Sequence, residues 1–223
     1  PLGVVAGITP FNFPVMVPLW MIPLAITAGN TFILKPSEQT PLSGMRLAEY
    51  LKEAGLPDGV FNVVNGAKTI VESLCDHPDI KALAFVGSSS VAKIVYTRCS
   101  QNSKRSICLG GAKNHMIVVP DADKDSTAKG LLASSMGSAG QRCMAASVAV
   151  GVSDIDHIIE QLIEEAKNFK LGVDMGTIIS KDALNRINGY IDEAEKMGAK
   201  VLVDGRNMSP PDDYKDGYWL GAT

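Results

Sequence analysis

Short apolar runs alternate with stretches of helical spacing along the first hundred residues. Residues 2–8 (LGVVAGI) form an apolar run closed by Thr9-Pro10 and read as a buried strand. Residues 31–34 (TFIL), 60–64 (VFNVV) and 81–86 (KALAFV) repeat the pattern as three further strands. Between them, 41–54 places Leu42, Met45, Leu47, Ala48 and Leu51 at helical intervals and is stopped by Gly55. Residues 67–75 and 88–100 read as two more helices. The most apolar stretch, 14–28, contains Pro14, Pro18 and Pro23 and is too short and too interrupted for a membrane span, which needs about 20 apolar residues.

After Lys104 the rhythm changes. Residues 105–109 and 115–119 are strand-like and are separated by Gly110-Gly111. A helix over 123–137, a strand over 147–152, helices over 155–169 and 181–197, and a strand over 200–203 follow. Residues 207–216, with Pro210-Pro211, read as an exposed loop. Strands alternating with helices predict an α/β fold with a mostly parallel sheet. The change of rhythm at 108–114 predicts two α/β lobes, 1–110 and 111–223.

Composition narrows the classes. Of 223 residues, 46% are hydrophobic and 20% charged, which excludes wholesale disorder. A net charge of −3 gives no electrostatic reason for a nucleic-acid partner. No charged-then-apolar signal segment opens the chain, and no membrane partner is expected. Four cysteines and three histidines lie scattered without Cys-x-x-Cys or His-x-x-x-His spacing, so no metal site and no disulfide framework are expected. A reducing compartment follows, the cytoplasm or, in a eukaryote, the mitochondrial matrix. The chain opens on Pro1 rather than Met, and both ends read as cut.

Several segments could carry chemistry. Cys143 sits among small residues after a helix, in Gly140-Gln141-Arg142-Cys143, where a nucleophile can meet backbone N–H groups that bind an oxyanion. The alternative is an inert free thiol. Thr9-Pro10-Phe11-Asn12-Phe13-Pro14 follows the first strand, and Lys35-Pro36-Ser37-Glu38 the second, the positions at which open α/β sheets present ligand groups. Gly87-Ser88-Ser89-Ser90-Val91 joins a strand to a helix, a turn able to bind phosphate or simply to cap the helix. No G-x-G-x-x-G turn occurs.

In this order, TPFNFP, KPSE, GSSSV, Gly110-Gly111-Ala112-Lys113 and GQRC resemble the NAD-dependent aldehyde dehydrogenase superfamily. The block at 10–38, the run Ala112-Lys113-Asn114-His115 and Arg142 before Cys143 are similar to its CoA-acylating branch, the methylmalonate- and malonate-semialdehyde dehydrogenases. The resemblance implies a Rossmann-type NAD-binding lobe over 1–110 and a catalytic lobe over 111–223, both incomplete in this chain. It makes Cys143 the nucleophile, with the Asn12 amide and the Cys143 N–H holding the oxyanion. Thr9, Phe11, Lys35, Glu38, Gln39, Ser88 and Gly110 would bind NAD, and Arg142 would pair the substrate carboxylate. It further implies coenzyme A as co-substrate, a homo-oligomer (dimer or tetramer), and a setting in valine or inositol breakdown.

Two departures stand out. Most aldehyde dehydrogenases carry a Glu four residues before the Lys of the Gly-Gly-x-Lys block, as the base that activates water; here that position is Leu109. Without that base hydrolysis is poor, whereas a thiol, with a pKa of about 8.5, ionises readily. The chain is also roughly half the superfamily's length, and residues 170–176 look several residues short of its usual loop. A catalytically silent relative that acts by binding or assembly is the alternative to an enzyme.

Overall fold

A computed structural model describes residues 1–223 as two compact units, Pro1–Gly111 and Ala112–Thr223. The first is a βα alternation: β1 (Val4–Ile8), α1 (Met16–Thr27), β2 (Thr31–Lys35), α2 (Pro41–Glu53), β3 (Phe61–Val63), α3 (Lys68–Asp76), β4 (Ile80–Val86), α4 (Ser89–Gln101) and β5 (Arg105–Leu109). The five strands form one all-parallel sheet in the order β3-β2-β1-β4-β5. Helices cover both faces, which is why the inner strands are near-continuous apolar runs rather than alternating ones. On one face Val5, Phe32 and Leu34 pack with Ile22 of α1 and Leu47 and Leu51 of α2. On the other, Ala6, Ile8, Leu83 and Phe85 pack with Leu74 and Cys75 of α3 and Val95 and Cys99 of α4. Two of the four cysteines are therefore core residues.

The proline-rich stretch is a helix, α1, to which the periodicity assigned no element. Pro18 falls in its first turn, where the missing N–H has no intrahelical partner to lose. Pro23 costs one interior bond, and burial of Val17, Pro18 and Ile22 against the sheet offsets it. Buried Asn30 closes the helix onto the strands: its Oδ1 accepts from the N–H groups of Leu2 (2.6 Å) and Gly3 (3.1 Å), and its Nδ2 donates to the Ala25 carbonyl (3.0 Å).

The second unit holds β6 (Asn114–Val118), α5 (Lys124–Met136), a 3-10 turn (Gly137–Gly140), β7 (Ala146–Gly151), α6 (Asp156–Lys167), α7 (Lys181–Lys196) and a 3-10 turn at Asp212–Tyr214. β6 and β7 pair in parallel, and Val118, Leu131, Ile155 and Ile158 form the core beneath them. Asp123 caps α5 by accepting from the Ser126 N–H (2.8 Å), and Ser180 caps α7 through the Ala183 N–H (3.2 Å). The strand expected over 200–203 does not form. Its side chains are apolar enough, and Val203 packs beside Leu132, Ala166 and Ala222, but no neighbouring strand offers its backbone a ladder. The compact segment at 170–176 closes on itself through a Leu171–Met175 bridge, with Gly172 at φ +80°.

Candidate active site

Because every strand of the first sheet is parallel, all their carboxyl ends emerge at one edge. The singled-out residues of this unit all sit there: Thr9, Phe11 and Asn12 after β1, Lys35, Glu38 and Gln39 at the end of β2, Ser88 after β4 and Gly110 after β5. The chain leaves β1 and β4, side by side at the centre, in opposite directions. That reversal opens the cleft in which such sheets bind ligands.

Local bonds fix these exits. The Thr9 N–H donates to the Lys35 carbonyl (3.1 Å), while the buried Thr9 hydroxyl has no hydrogen-bond partner within the chain. Lys35 is buried, and its Nζ lies 3.1 Å from Glu38 Oε2. A hydrogen bond from its own backbone, helped by the Lys35 ammonium, holds the Glu38 carboxyl below its ordinary range against the opposing effect of burial. Phe11 and Asn12 are half-buried, Gln39 is exposed, and the Gln39 N–H donates to Ser37 Oγ (3.2 Å). Ser88 occupies the N-cap position of α4, which has no side-chain cap bond; its Oγ lies 3.3 Å from Ser90 Oγ.

Gly110 passes so close to α4 that a Cβ there would meet Ser89 Oγ at 2.8 Å, and the Gly111 N–H donates to the same oxygen (2.9 Å). Ser89 therefore straps the end of β5 to the start of α4, a role that a run of three serines did not reveal. Leu109, just before, is 48% exposed within this chain.

In the second unit, Cys143 lies between α5 and β7 on a turn closed by the Ala145 N–H to the Arg142 carbonyl (3.1 Å). That bond does not use the Cys143 N–H. Three neighbours hold the turn. Arg142 Nη2 donates to the Ala133 (2.7 Å) and Ser134 (2.9 Å) carbonyls, so its guanidinium closes the C-terminal end of α5, where a cation is favoured. Gln141 Nε2 donates to the Ser138 (3.1 Å) and Thr177 (3.2 Å) carbonyls, and its Oε1 accepts from the Ile179 N–H (2.9 Å). Asn114 Nδ2 donates to the Cys143 (2.7 Å) and Ala145 (3.0 Å) carbonyls. Upstream, Ser138 and Ala139 adopt φ of +55° and +53°, a left-handed kink uncommon for residues with a side chain.

The aldehyde dehydrogenase family profile matches residues 1–223. The chain belongs to the aldehyde dehydrogenase family. It is 52% identical to the malonate-semialdehyde dehydrogenase of Lacticaseibacillus casei, matching all of this chain and 46% of that protein. The chain thus spans about half the length of the curated relatives it matches. Its fold superposes on the crystal structure of methylmalonate-semialdehyde dehydrogenase from Oceanimonas doudoroffii with a TM-score of 0.95, at 49% identity over 99% of this chain and 47% of that one. A betaine aldehyde dehydrogenase from Staphylococcus aureus, solved with NAD+, superposes at a TM-score of 0.93, 32% identical over 99% of this chain and 45% of that one. No helix of the chain is long and apolar enough to cross a membrane.

Proposed function

We propose that the protein carrying this chain oxidises malonate or methylmalonate semialdehyde with NAD through a thioacyl intermediate on Cys143, and passes the acyl group to coenzyme A. The observation that carries this reading is the Cys143 turn, in which a thiol shares its residue with a backbone N–H that the turn's own bond leaves unused. The first unit's sheet edge fits NAD. The Thr9 hydroxyl is a buried polar group lacking a partner, which is costly unless a ligand supplies one. The Lys35–Glu38 pair suits ribose hydroxyls, with Gln39 and Phe11 beside it, and the uncapped α4 start at Ser88 suits a pyrophosphate. Gly110, at the exit of β5 on the same edge, is assigned to the nicotinamide end of the cofactor. NAD held there supplies the hydride acceptor.

In this reading the Cys143 thiolate attacks the aldehyde carbon, and the Asn12 amide and the Cys143 N–H donate to the resulting oxyanion. Collapse of that oxyanion expels hydride and leaves a thioester on Cys143. Arg142 recognises the substrate carboxylate with the guanidinium edge not engaged at α5. With Leu109 where a base would stand, no carboxylate activates water, and the coenzyme A thiolate displaces Cys143 instead. The carboxylate β to the thioester carbonyl leaves as carbon dioxide, its bond electrons form the thioester enolate, and that enolate takes a proton from solvent to give acetyl-CoA or propanoyl-CoA. A homo-oligomer and a setting in valine or inositol breakdown accompany this reading. The identity of the relatives as enzymes favours it over a silent binding protein. The test is NADH formation from malonate semialdehyde with and without coenzyme A; equal rates with free acid as product would sink the acyl-transfer half.

A further inference from the structure

We infer that Asn114 is a positioning residue for the nucleophile, holding the Cys143 peptide through its carboxamide; this rests on the reading of Cys143 as the nucleophile. One nitrogen reaches two carbonyls, Cys143 at 2.7 Å and Ala145 at 3.0 Å. A carboxamide nitrogen carries two hydrogens, so both are used, and the opposite amide orientation would set oxygen against oxygen. The two bonds span the turn that the Ala145 N–H closes onto the Arg142 carbonyl, so the nucleophile is held from both sides of its peptide.

The backbone aims Asn114 at this task. β6 and β7 start in register at Asn114 and Ala146, then shift, with His115 opposite Val148. The extra residue, Ser147, lies in β7, so it is β7 that bends at its start, a use of bulges common beside reactive sites. At this start of β7 the Asn114 side chain reaches the segment that precedes the strand. With the Cys143 carbonyl fixed, the rotation between its Cα and carbonyl carbon is fixed too. The Cys143 Cα, from which both the thiol and the N–H project, is then tied to β6 as well as to the small-residue loop before it. A nucleophile misplaced by about 1 Å can lose about 10²-fold in rate. Aspartate at 114 has the same shape but offers only acceptors to the two carbonyls, and alanine leaves both without this donor.

The test compares Asn114→Asp, Asn114→Ala and Asn114→Ser with wild type in the full protein, with melting temperature as the check on folding. Turnover, KM for aldehyde and for NAD, and the rate of Cys143 alkylation by iodoacetamide across pH 6–10, read by peptide mass spectrometry, are measured. Expected is a loss of about 10–10²-fold in kcat for Asn114→Asp and Asn114→Ala, with both KM values within about two-fold of wild type, the scatter left when binding is untouched. The alkylation profile should change in the same variants, because the thiol's surroundings are no longer fixed. Asn114→Ser, which keeps one donor, should fall between and carries the test alone if the others do not fold. Wild-type kcat and wild-type alkylation in any folded variant overturn the inference. Failure of the underlying reading is separately visible: Cys143→Ala would then keep its turnover, whatever Asn114 does.

Discussion

Lys35 and Glu38 form a lopsided pair: the ammonium is buried with 4% of its side chain exposed, while the carboxylate 3.1 Å away is 53% exposed. The lysine therefore depends on a partner that water also reaches. The Glu38 carboxyl titrates below its ordinary value of 4.5, chiefly through its own backbone N–H and then through Lys35. A lowered carboxyl pKa contributes stability that is fully present above the unfolded-state value and is lost as pH falls through the folded-state value. Wild type should therefore lose stability below pH 4.5 by an increment that Glu38→Gln lacks. Solvent screening keeps that increment under about 1 kcal/mol. Acid-dependent urea melts of the two proteins check it, and parallel curves would count against the pairing.

Cys143→Ala should abolish NADH formation in the full protein and leave NAD affinity nearly unchanged, since none of the residues proposed for NAD is altered. Calorimetric NAD titration and a turnover assay separate the two effects. Retained turnover would remove Cys143 from the nucleophile's role.

Asn12→Ala should lower kcat by about 10²–10³-fold, the range for losing one oxyanion donor. A change confined to the KM for NAD would instead make Asn12 a cofactor ligand.

Without coenzyme A, NADH should appear in a burst near one equivalent per active site and then slow, because Leu109 leaves the thioester without a base for water. Coenzyme A should restore steady turnover and yield a thioester product. Leu109→Glu should shift products toward free acid, because it supplies a base for water.

Iodoacetamide should modify Cys143 well before Cys75 or Cys99. The latter two are 1% and 0% exposed, and a hydrogen bond from the Cys75 S–H to Cys99, then burial, push the Cys75 thiol up. Time-resolved peptide mapping reads the order, and early labelling of Cys75 would mean that the α3–α4 core opens readily.

Much of this protein is legible in one dimension. The strands and helices of both units follow from apolar runs, helical spacing and Gly or Pro stops, because strand burial on both faces and one-sided helix burial leave different periods in the chain. That the singled-out segments of the first unit gather at one edge is legible for a related reason: strand exits in a parallel sheet share one edge, so short segments that follow its strands meet there. Helix α1 was not, because its prolines argue against helix locally and only packing of Ile22 on Val5 and Phe32 overrides them. The run at 200–203 erred the other way, since a strand needs a neighbour that no local pattern supplies.

The residues around Cys143 show the same division most sharply. That a cysteine among small residues stands after a helix can be read from residues 137–145 alone. That Arg142 lies on the last carbonyls of α5, that Gln141 reaches Thr177 and Ile179, and that Asn114 holds the Cys143 carbonyl from 29 positions away cannot. Such bonds join groups that chain folding brings together, and their donors look like ordinary polar residues until the register of β6 against β7 and the end of α5 put carbonyls in front of them.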